Sequence, residues 1–219
     1  MEYEALLAAT DFFADADEAT LRAIVHSGRE RKLVRGDQLF SEGDEPHSLF
    51  LVTRGRVAIA NKSFDNRESV FALMEPGSLF GELGLIDGKP RSALARALEP
   101  SAVLDVPYAP VQEVLQSNPM LLWGVTKLLA GRLRAMDEVV ADSVFLDVTG
   151  RTAKRLLDLS DGAEEFVLPI TQEELAGMVG ASRERVNKAI ASFIRLGWIE
   201  QHERHYRILL RDRLEQRSR

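Results

Sequence analysis

The spacing of hydrophobic residues divides the chain into a helical start, a β-rich part and a largely helical end. Residues 4–26 have the pattern of short amphipathic helices. From Arg31 to Val106, alternating runs such as Leu49–Val52, Arg56–Ala60 and Ser69–Leu73 are separated by glycines. Strands of four to six residues with this spacing predict a small all-β sandwich or barrel.

A long helix is predicted after this β-rich part. Pro110 opens a short helix, and Asn118 and Pro119 then provide an N-cap and a first helical residue. No further proline occurs before Val144, so about 26 residues can form a helix about 39 Å long. An apolar stripe with heptad-like spacing follows it, made of Leu122, Leu129, Leu133, Met136, Val140 and Ser143 or Val144.

Such a stripe is more often ordinary core than a dimer seam. The helix would, however, extend beyond a barrel of about 110 residues, so a partner helix is the simplest way to bury the apolar stripe. We therefore expect a homodimer through residues 118–144. Phe145–Gly150 is expected to end the helix and to form a hinge, followed by a helix over Arg151–Leu159 and an acidic loop over Ser160–Glu165.

The segment after the acidic loop has the pattern of two helices joined by a tight turn. Thr171 can cap a helix over Gln172–Val179, because Glu174 completes a capping box. Ser182 can cap a second helix from Arg183 to about Leu196. Two helices of this size with a connection of three or four residues predict a helix-turn-helix.

The spacing inside this unit supports the prediction. The helix crossing requires a small residue, which Ala176 supplies, and the corner requires the left-handed conformation that Gly180 permits. The second helix requires a β-branched residue that points into the first. Four apolar residues of the second helix are expected to pack inward: Val186, Ile190, Phe193 and Ile194.

Charged residues remain on the outward face near the start of the second helix, which is the end that enters the major groove in this motif. An Arg can bind guanine O6 and N7, and a Glu can accept from cytosine N4. Ser182 and the N-terminal amides suit a phosphate. The predicted contacts to double-stranded DNA are Thr171, Gln172, Ser182, Arg183, Glu184, Arg185 and Lys188.

The last part of the chain predicts a β-hairpin wing. Trp198–Glu200 and Tyr206–Leu210 would form its strands, with a polar turn at His202–His205. The two histidines have no third ligand in sight, so a phosphate contact is favoured over a metal site. No metal is predicted.

Charge and composition agree with this assignment. The net charge is −6, but residues 182–219 hold 10 basic and 5 acidic residues, whereas residues 1–146 have a net charge of −7. Positive charge is thus concentrated where a phosphate backbone could be bound. The chain has no cysteine, which excludes disulfides, thiolate zinc sites and a cysteine-ligated iron–sulfur cluster. Without a signal-peptide pattern or an apolar run of about 20 residues, we expect a soluble cytoplasmic protein with no membrane partner.

A second cluster of candidate binding residues lies in the β-rich part. It offers backbone amides beside Gly81, the carboxylate of Glu82, and the guanidinium and hydroxyl of Arg91 and Ser92. An Arg fork with surrounding amides suits a phosphate, and a buried Glu could accept from a ribose hydroxyl. The same residues could instead form a plain turn with a structural Arg91–Glu82 salt bridge.

Three segments together resemble the Crp/Fnr family, the cyclic-AMP receptor proteins of bacteria, and the resemblance covers nearly the whole chain. They are Gly81-Glu82-Leu83 with Arg91-Ser92-Ala93, Phe145–Arg151, and Gly180–Lys188. The resemblance implies an α+β chain with a jelly-roll-like β-roll that binds a cyclic nucleotide, a long dimerisation helix, and a winged helix-turn-helix that binds a palindromic operator. It also implies that cyclic AMP or a related nucleotide is an effector and that RNA polymerase is a possible partner.

The resemblance assigns roles and boundaries. Glu82 would hold the ribose 2′-OH, Arg91 and Ser92 would hold the cyclic phosphate, and Arg183, Glu184 and Lys188 would bind bases. The best-known members have Arg at the Lys188 position, so base preference there would be relaxed. The predicted parts are a sensor domain over 1–117, a dimerisation helix and hinge over 118–146, and a DNA-binding domain over 147–219.

One departure from the family affects the effector. Cyclic-AMP receptors contact adenine through a Thr-Ser or Thr-Asn pair on the long helix, and this chain has Met136 and Asp137 there. Cyclic AMP could still bind through its sugar and phosphate. Asp137 could instead accept from guanine N1 and N2 and favour cyclic GMP. Alternatively, Met136 could close the seam and make the dimer active without an effector. The acidic loop also departs from the polymerase-contacting surface of the best-known members.

Two other classes of function are disfavoured. A nucleotide-processing enzyme would need a general base or a metal cluster, but the four histidines lie scattered at positions 26, 47, 202 and 205. A module that binds only proteins would have no use for the helix-turn-helix spacing. We therefore predict that the chain is not an enzyme.

Overall fold

The computed structural model describes residues 2–62 and 68–219. They form two compact units. The first comprises residues 2–61 and 72–134, and the second comprises residues 135–219 with the described residues between 62 and 71. The domain boundaries after residues 117 and 146 remain predictions.

The described part of the β-rich region folds into two antiparallel four-stranded sheets. Their strand orders are β1-β8-β3-β6 and β2-β7-β4-β5. The strands are β1 (Arg29–Leu33), β2 (Gln38–Phe40), β3 (Ser48–Arg54), β4 (Val57–Lys62), β5 (Glu68–Met74), β6 (Leu79–Phe80), β7 (Leu94–Ala97) and β8 (Ser101–Pro107). The predicted β-roll is confirmed.

The alternation along β3 explains how this roll is filled. Leu49 and Leu51 belong to one buried cluster, whereas Phe50 and Val52 belong to another. Because successive side chains point to opposite faces, β3 is covered on both sides. Helices cover the first cluster, and they are α1 (Glu2–Ala8), α2 (Glu18–Ser27) and α4 (Tyr108–Ser117), with the short α3 (Leu83–Asp87) after β6.

Two predicted helix starts need correction. Helix α4 begins at Tyr108, so Pro110 lies inside its first turn, where a missing N–H is tolerated. Asn118 makes no side-chain capping bond, and Pro119–Leu121 forms a 3₁₀ turn before α5 (Leu122–Phe145) begins. Helix α5 has 24 residues, or about 36 Å at 1.5 Å per residue.

The second unit contains α6 (Val148–Ser160), β9 (Glu165–Val167), α7 (Gln172–Val179), α8 (Arg183–Arg195), β10 (Ile199–His202), β11 (His205–Ile208) and α9 (Arg211–Arg217). Helix α6 starts at Val148 and not at Arg151, because the Asp147 side chain accepts from the Gly150 amide at 2.8 Å and caps the helix. Of the predicted hinge, only Leu146 and Asp147 lie between α5 and α6.

The wing is larger than a hairpin. Strand β9 pairs with β11 and produces a three-stranded sheet of order β10-β11-β9. Stacking of Phe166 on Tyr206 holds β9 in place. The sequence analysis placed the start of this strand in the acidic loop and did not anticipate α9. No helix of the described residues is long and apolar enough to cross a membrane.

Candidate functional site

The turn at Gly81 places the candidate binding residues of the β-roll around one guanidinium. Gly81 has φ of +83°, and a Cβ there would lie 2.7 Å from Arg91 Nη1. Both the left-handed backbone and the close approach therefore require glycine. Arg91 is only 8% exposed, and its guanidinium carbon lies 4.2 Å from the Phe40 ring centroid.

The protein itself uses one side of the Arg91 guanidinium. Nη1 donates to the Gly81 carbonyl at 2.8 Å and to the Tyr108 hydroxyl at 3.1 Å, and Nη2 donates to the Ser48 carbonyl at 2.6 Å. The Arg91 Nε is buried and has no hydrogen-bond partner among the residues that the structure describes. The Nε–Nη2 edge, which is a forked donor pair, therefore retains capacity for an anion.

Glu82 is fully buried, and its partner comes from α5. Arg132 Nη1 donates to Glu82 Oε1 at 2.6 Å, and Arg132 Nη2 donates to the Leu79 carbonyl at 2.8 Å. The other carboxylate oxygen, Oε2, is buried and has no partner within residues 2–62 and 68–219. The alternative of a structural Arg91–Glu82 salt bridge is therefore wrong, since each residue bonds elsewhere. An unpaired buried carboxylate oxygen is an acceptor for a hydroxyl donor.

Burial governs the electrostatics of this group. It lowers the pKa of Arg91 from its ordinary value, and the neighbouring Tyr108 partly opposes that shift. Burial also raises the pKa of Tyr108, so its hydroxyl remains protonated at neutral pH and can donate to the Gly81 carbonyl. The site thus presents a cation beside a neutral phenol, which favours an anionic ligand.

The other predicted nucleotide-binding residues are exposed. Leu83 is 42% exposed at the start of α3, and Ser92 is also exposed. Met136 and Asp137 lie exposed on α5, in the turn after Arg132. The sequence analysis missed Arg132 and Tyr108, which bond directly to the predicted cluster. Arg132 lies at helical spacing beside the apolar stripe, and that position was the available signal.

The predicted helix-turn-helix is confirmed in the second unit. The Thr171 hydroxyl accepts from the Glu174 amide, and the Glu174 carboxylate accepts from the Thr171 amide, which completes the capping box. Gly180 adopts the left-handed conformation at the corner. Ala176 and Val186 are both buried where the two helices cross.

Helix α8 separates an apolar face from a charged face. Val186, Ile190 and Phe193 are buried, but Ile194 is 41% exposed. The prediction that Ile194 packs inward is therefore wrong, because it lies about 100° around the helix from Phe193. The ring of Phe193 stacks on Trp198 at the start of the wing.

The candidate base-contacting side chains are exposed near the N-terminus of α8. The exposed group comprises Ser182, Arg183, Glu184, Arg185 and Lys188. Lys188 Nζ donates to Glu184 Oε1 at 2.7 Å, and this bond lowers the pKa of the Glu184 carboxyl. Glu184 therefore stays ionised at neutral pH.

Two further predicted DNA contacts are partly committed to the fold. Thr171 is the N-cap of α7, and Gln172 Nε2 donates to the Tyr206 hydroxyl at 2.7 Å. Both side chains are half-buried. Their contacts to DNA remain a prediction. No group of three or more His, Cys, Asp or Glu that could hold a metal occurs within residues 2–62 and 68–219.

Comparison with known proteins identifies two domain families in this chain. Residues 30–118 match the cyclic nucleotide-binding domain family, and residues 150–217 match the Crp-like helix-turn-helix domain family. A CRP-like cAMP-activated global transcriptional regulator of Mycobacterium tuberculosis is 32% identical over 221 residues, which cover 98% of this chain and 99% of that protein.

Solved structures show the same architecture. FixK2 from Bradyrhizobium japonicum superposes with a TM-score of 0.80 at 19% identity, over 88% of this chain and 98% of that chain. The c-di-GMP responsive global regulator CLP of Xanthomonas campestris gives 0.77 at 25% identity, over 88% and 99% of the two chains. With both domain families and a relative of nearly full coverage, this chain belongs to the Crp/Fnr family of DNA-binding transcription regulators and is not an enzyme.

Proposed function

We propose that this regulator binds a palindromic operator as a homodimer under the control of a cyclic nucleotide, with cyclic AMP favoured. The relative from M. tuberculosis is named as cAMP-activated, which supports that choice of effector. Binding of the effector would shift the population between two dimer forms that differ in DNA affinity.

One observation carries the effector proposal, namely two buried polar atoms without partners in the β-roll. In the described part of the chain, Glu82 Oε2 lacks a donor and Arg91 Nε lacks an acceptor. A cyclic nucleotide supplies both, since a ribose hydroxyl donates and a phosphate oxygen accepts. Glu82 would hold the 2′-OH and Arg91 the cyclic phosphate, with Gly81, Leu83 and Ser92 beside them.

The base is the less constrained part of the ligand. Met136 offers no useful hydrogen bond to adenine, and Asp137 offers only an acceptor. Cyclic AMP held through sugar and phosphate is our first choice. Cyclic GMP bound through Asp137, or a dimer active without effector, are the alternatives. The similar regulator CLP is described as c-di-GMP responsive, so a nucleotide other than cyclic AMP is associated with a protein of this fold.

The homodimer is supported by the apolar stripe of α5. Leu133, Met136 and Val140 are each at least 61% exposed. Single exposed apolar residues are ordinary, but three at heptad-like spacing form a continuous face. A second α5 helix would cover this face along residues 118–144.

Two-fold symmetry sets the expected DNA site. Each α8 helix would enter a major groove, and the half-sites would lie about 34–36 Å apart. Arg183, Glu184 and Lys188 would contact base edges, with Arg185 and Ser182 at the backbone. Contact with RNA polymerase stays a prediction. Its test is transcription in vitro with substitutions in the loop at residues 160–164, and a contact through this loop predicts that they change the transcription rate.

Calorimetry tests the effector assignment directly. Wild-type protein is titrated with cyclic AMP and cyclic GMP, and the titrations are repeated with Asp137→Ala. We expect a preference for cyclic AMP that survives the substitution. A cyclic GMP preference that disappears in Asp137→Ala would support the guanine alternative, and no heat with either nucleotide would contradict cyclic-nucleotide control.

A further inference from the structure

We propose that Arg132 of one chain forms an ion pair with the partner's Asp137, so that the two chains clasp each other beside the Glu82–Arg132 pair. This inference rests on the proposed homodimer. It gives Asp137 a role in protein association in place of the base-contacting role that the family resemblance suggests for its position.

The register of the α5 stripe places these two residues at facing positions. With Leu133 and Val140 at heptad position a, and Leu129 and Met136 at d, Arg132 falls at g and Asp137 at e. In a parallel two-stranded coiled coil, a residue at g faces the residue at e five positions later on the other helix. Arg132 and the partner's Asp137 have this spacing.

A neighbouring pair in the same register is also chemically matched. One heptad later Val139 would face the partner's Val144, whereas one heptad earlier Val125 is buried in the core of its own chain. Val139 and Val144 are 42% and 69% exposed in the single chain, so this contact would cover apolar surface. An antiparallel arrangement would instead pair e positions with e positions and g positions with g positions, so Arg132 and Asp137 would not face each other.

The side chains have free bonding capacity for this contact. Arg132 uses two of its donors for Glu82 and the Leu79 carbonyl, and its side chain remains 32% exposed. A guanidinium has five N–H donors, so further donors remain for a second carboxylate. Asp137 has no hydrogen bond or ion pair within residues 2–62 and 68–219 of its own chain.

The clasp connects the dimer seam to the proposed effector site. Glu82, Arg132 and the partner's Asp137 would form one network of two carboxylates around one guanidinium. A nucleotide that donates to Glu82 would act on the same network. The charge of Asp137 would therefore strengthen dimerisation whether or not it touches a base.

Dilution experiments measure the effect. The dimer dissociation constant of the full-length protein is determined by sedimentation velocity for wild type, Asp137→Asn and the control Glu138→Gln. Glu138 is the adjacent exposed carboxylate on the outward face. A symmetric dimer would contain two of these exposed ion pairs, so we expect Asp137→Asn to raise the dimer dissociation constant about 2- to 30-fold. We expect Glu138→Gln to leave that constant unchanged.

A second measurement does not depend on the strength of the pair. The chain has no cysteine, so Arg132→Cys and Asp137→Cys chains can be mixed and treated with a short bis-maleimide. We expect a cross-linked heterodimer, and none when Glu138→Cys replaces Asp137→Cys.

The outcomes separate the two proposals. A wild-type protein that stays monomeric at high concentration would overturn the homodimer and the clasp together. A wild-type dimer whose dissociation constant is the same in Asp137→Asn and Glu138→Gln, and which gives no Arg132–Asp137 cross-link, would overturn the clasp alone.

Discussion

At Arg91, the protein uses some of the guanidinium N–H donors and leaves others available to a ligand. Its Nη donors bond to the carbonyls of Gly81 and Ser48 and to the Tyr108 hydroxyl, and its Nε is buried and unpaired by any described residue. A buried donor without a partner costs free energy, so a ligand acceptor there gains more than it would at the surface.

Substitution of this fork should weaken nucleotide binding while the positive charge is kept. A Lys at position 91 has a single ammonium group and cannot bond the internal carbonyls and a phosphate together. We expect Arg91→Lys to lower cyclic-nucleotide affinity about 10- to 150-fold, the effect of one charged hydrogen bond. Calorimetry is the measurement, with the exposed Lys89→Gln as control; equal affinities in both variants would contradict the role of Arg91.

Glu184 should determine specificity more than affinity. Its carboxylate can accept from cytosine N4, and a matched base contact provides about 1–3 kcal/mol of discrimination. We expect Glu184→Ala to lose about 5- to 150-fold discrimination at one base pair of each half-site. Affinities for the selected site and its single-base variants, at fixed salt, measure this. Glu173→Ala, which removes an exposed carboxylate from α7, should discriminate like wild type.

At the scale of elements, local signals predicted the second unit well. Caps and glycines lie within three residues of the helix ends that they determine, so Thr171, Gly180 and Ser182 were informative without the rest of the chain. Strand β9 was not predictable, because three residues become a strand only through pairing with β11. Arg132 was missed for the same reason, since its partner Glu82 is 50 positions away.

The cap of α6 provides a stability test at this scale. Asp147 accepts from the Gly150 amide and pairs with Arg217 of α9, and both contacts lower the pKa of its carboxyl. We expect Asp147→Ala to lower the free energy of unfolding by about 0.5–2 kcal/mol, and Asp147→Asn by less, since Asn also caps helices. Urea unfolding followed by Trp198 fluorescence, in a Trp123→Phe background, measures both.

The pH dependence of that difference has a definite sign. The native pKa of Asp147 lies below its unfolded value of about 3.9, so its charge stabilises the fold above that pH. This contribution is lost as pH falls through the native pKa. The gap between wild type and Asp147→Asn should therefore be present at neutral pH and close in acid; a gap that persists in acid would exclude the charge as its cause.

At the scale of the whole molecule, net charge conceals the DNA-binding end. The 219 residues have a net charge of −6, yet the final 38 carry 10 basic and 5 acidic residues. The three segments that resemble the family, and not the net charge, predicted the architecture and the DNA-binding helix. They could not establish the effector, because that depends on which atoms remain unpaired once the chain has folded.

The most direct test of cyclic-nucleotide control over a DNA-binding dimer is a mobility shift at fixed salt. Full-length protein is titrated against a selected two-fold symmetric DNA site, with and without cyclic AMP, and Arg91→Lys is run beside it. At a cyclic AMP concentration that just saturates wild type, we expect the nucleotide to tighten wild-type binding and to have little effect on the binding by Arg91→Lys. Equal wild-type affinity in the two conditions would contradict cyclic-AMP control of DNA binding.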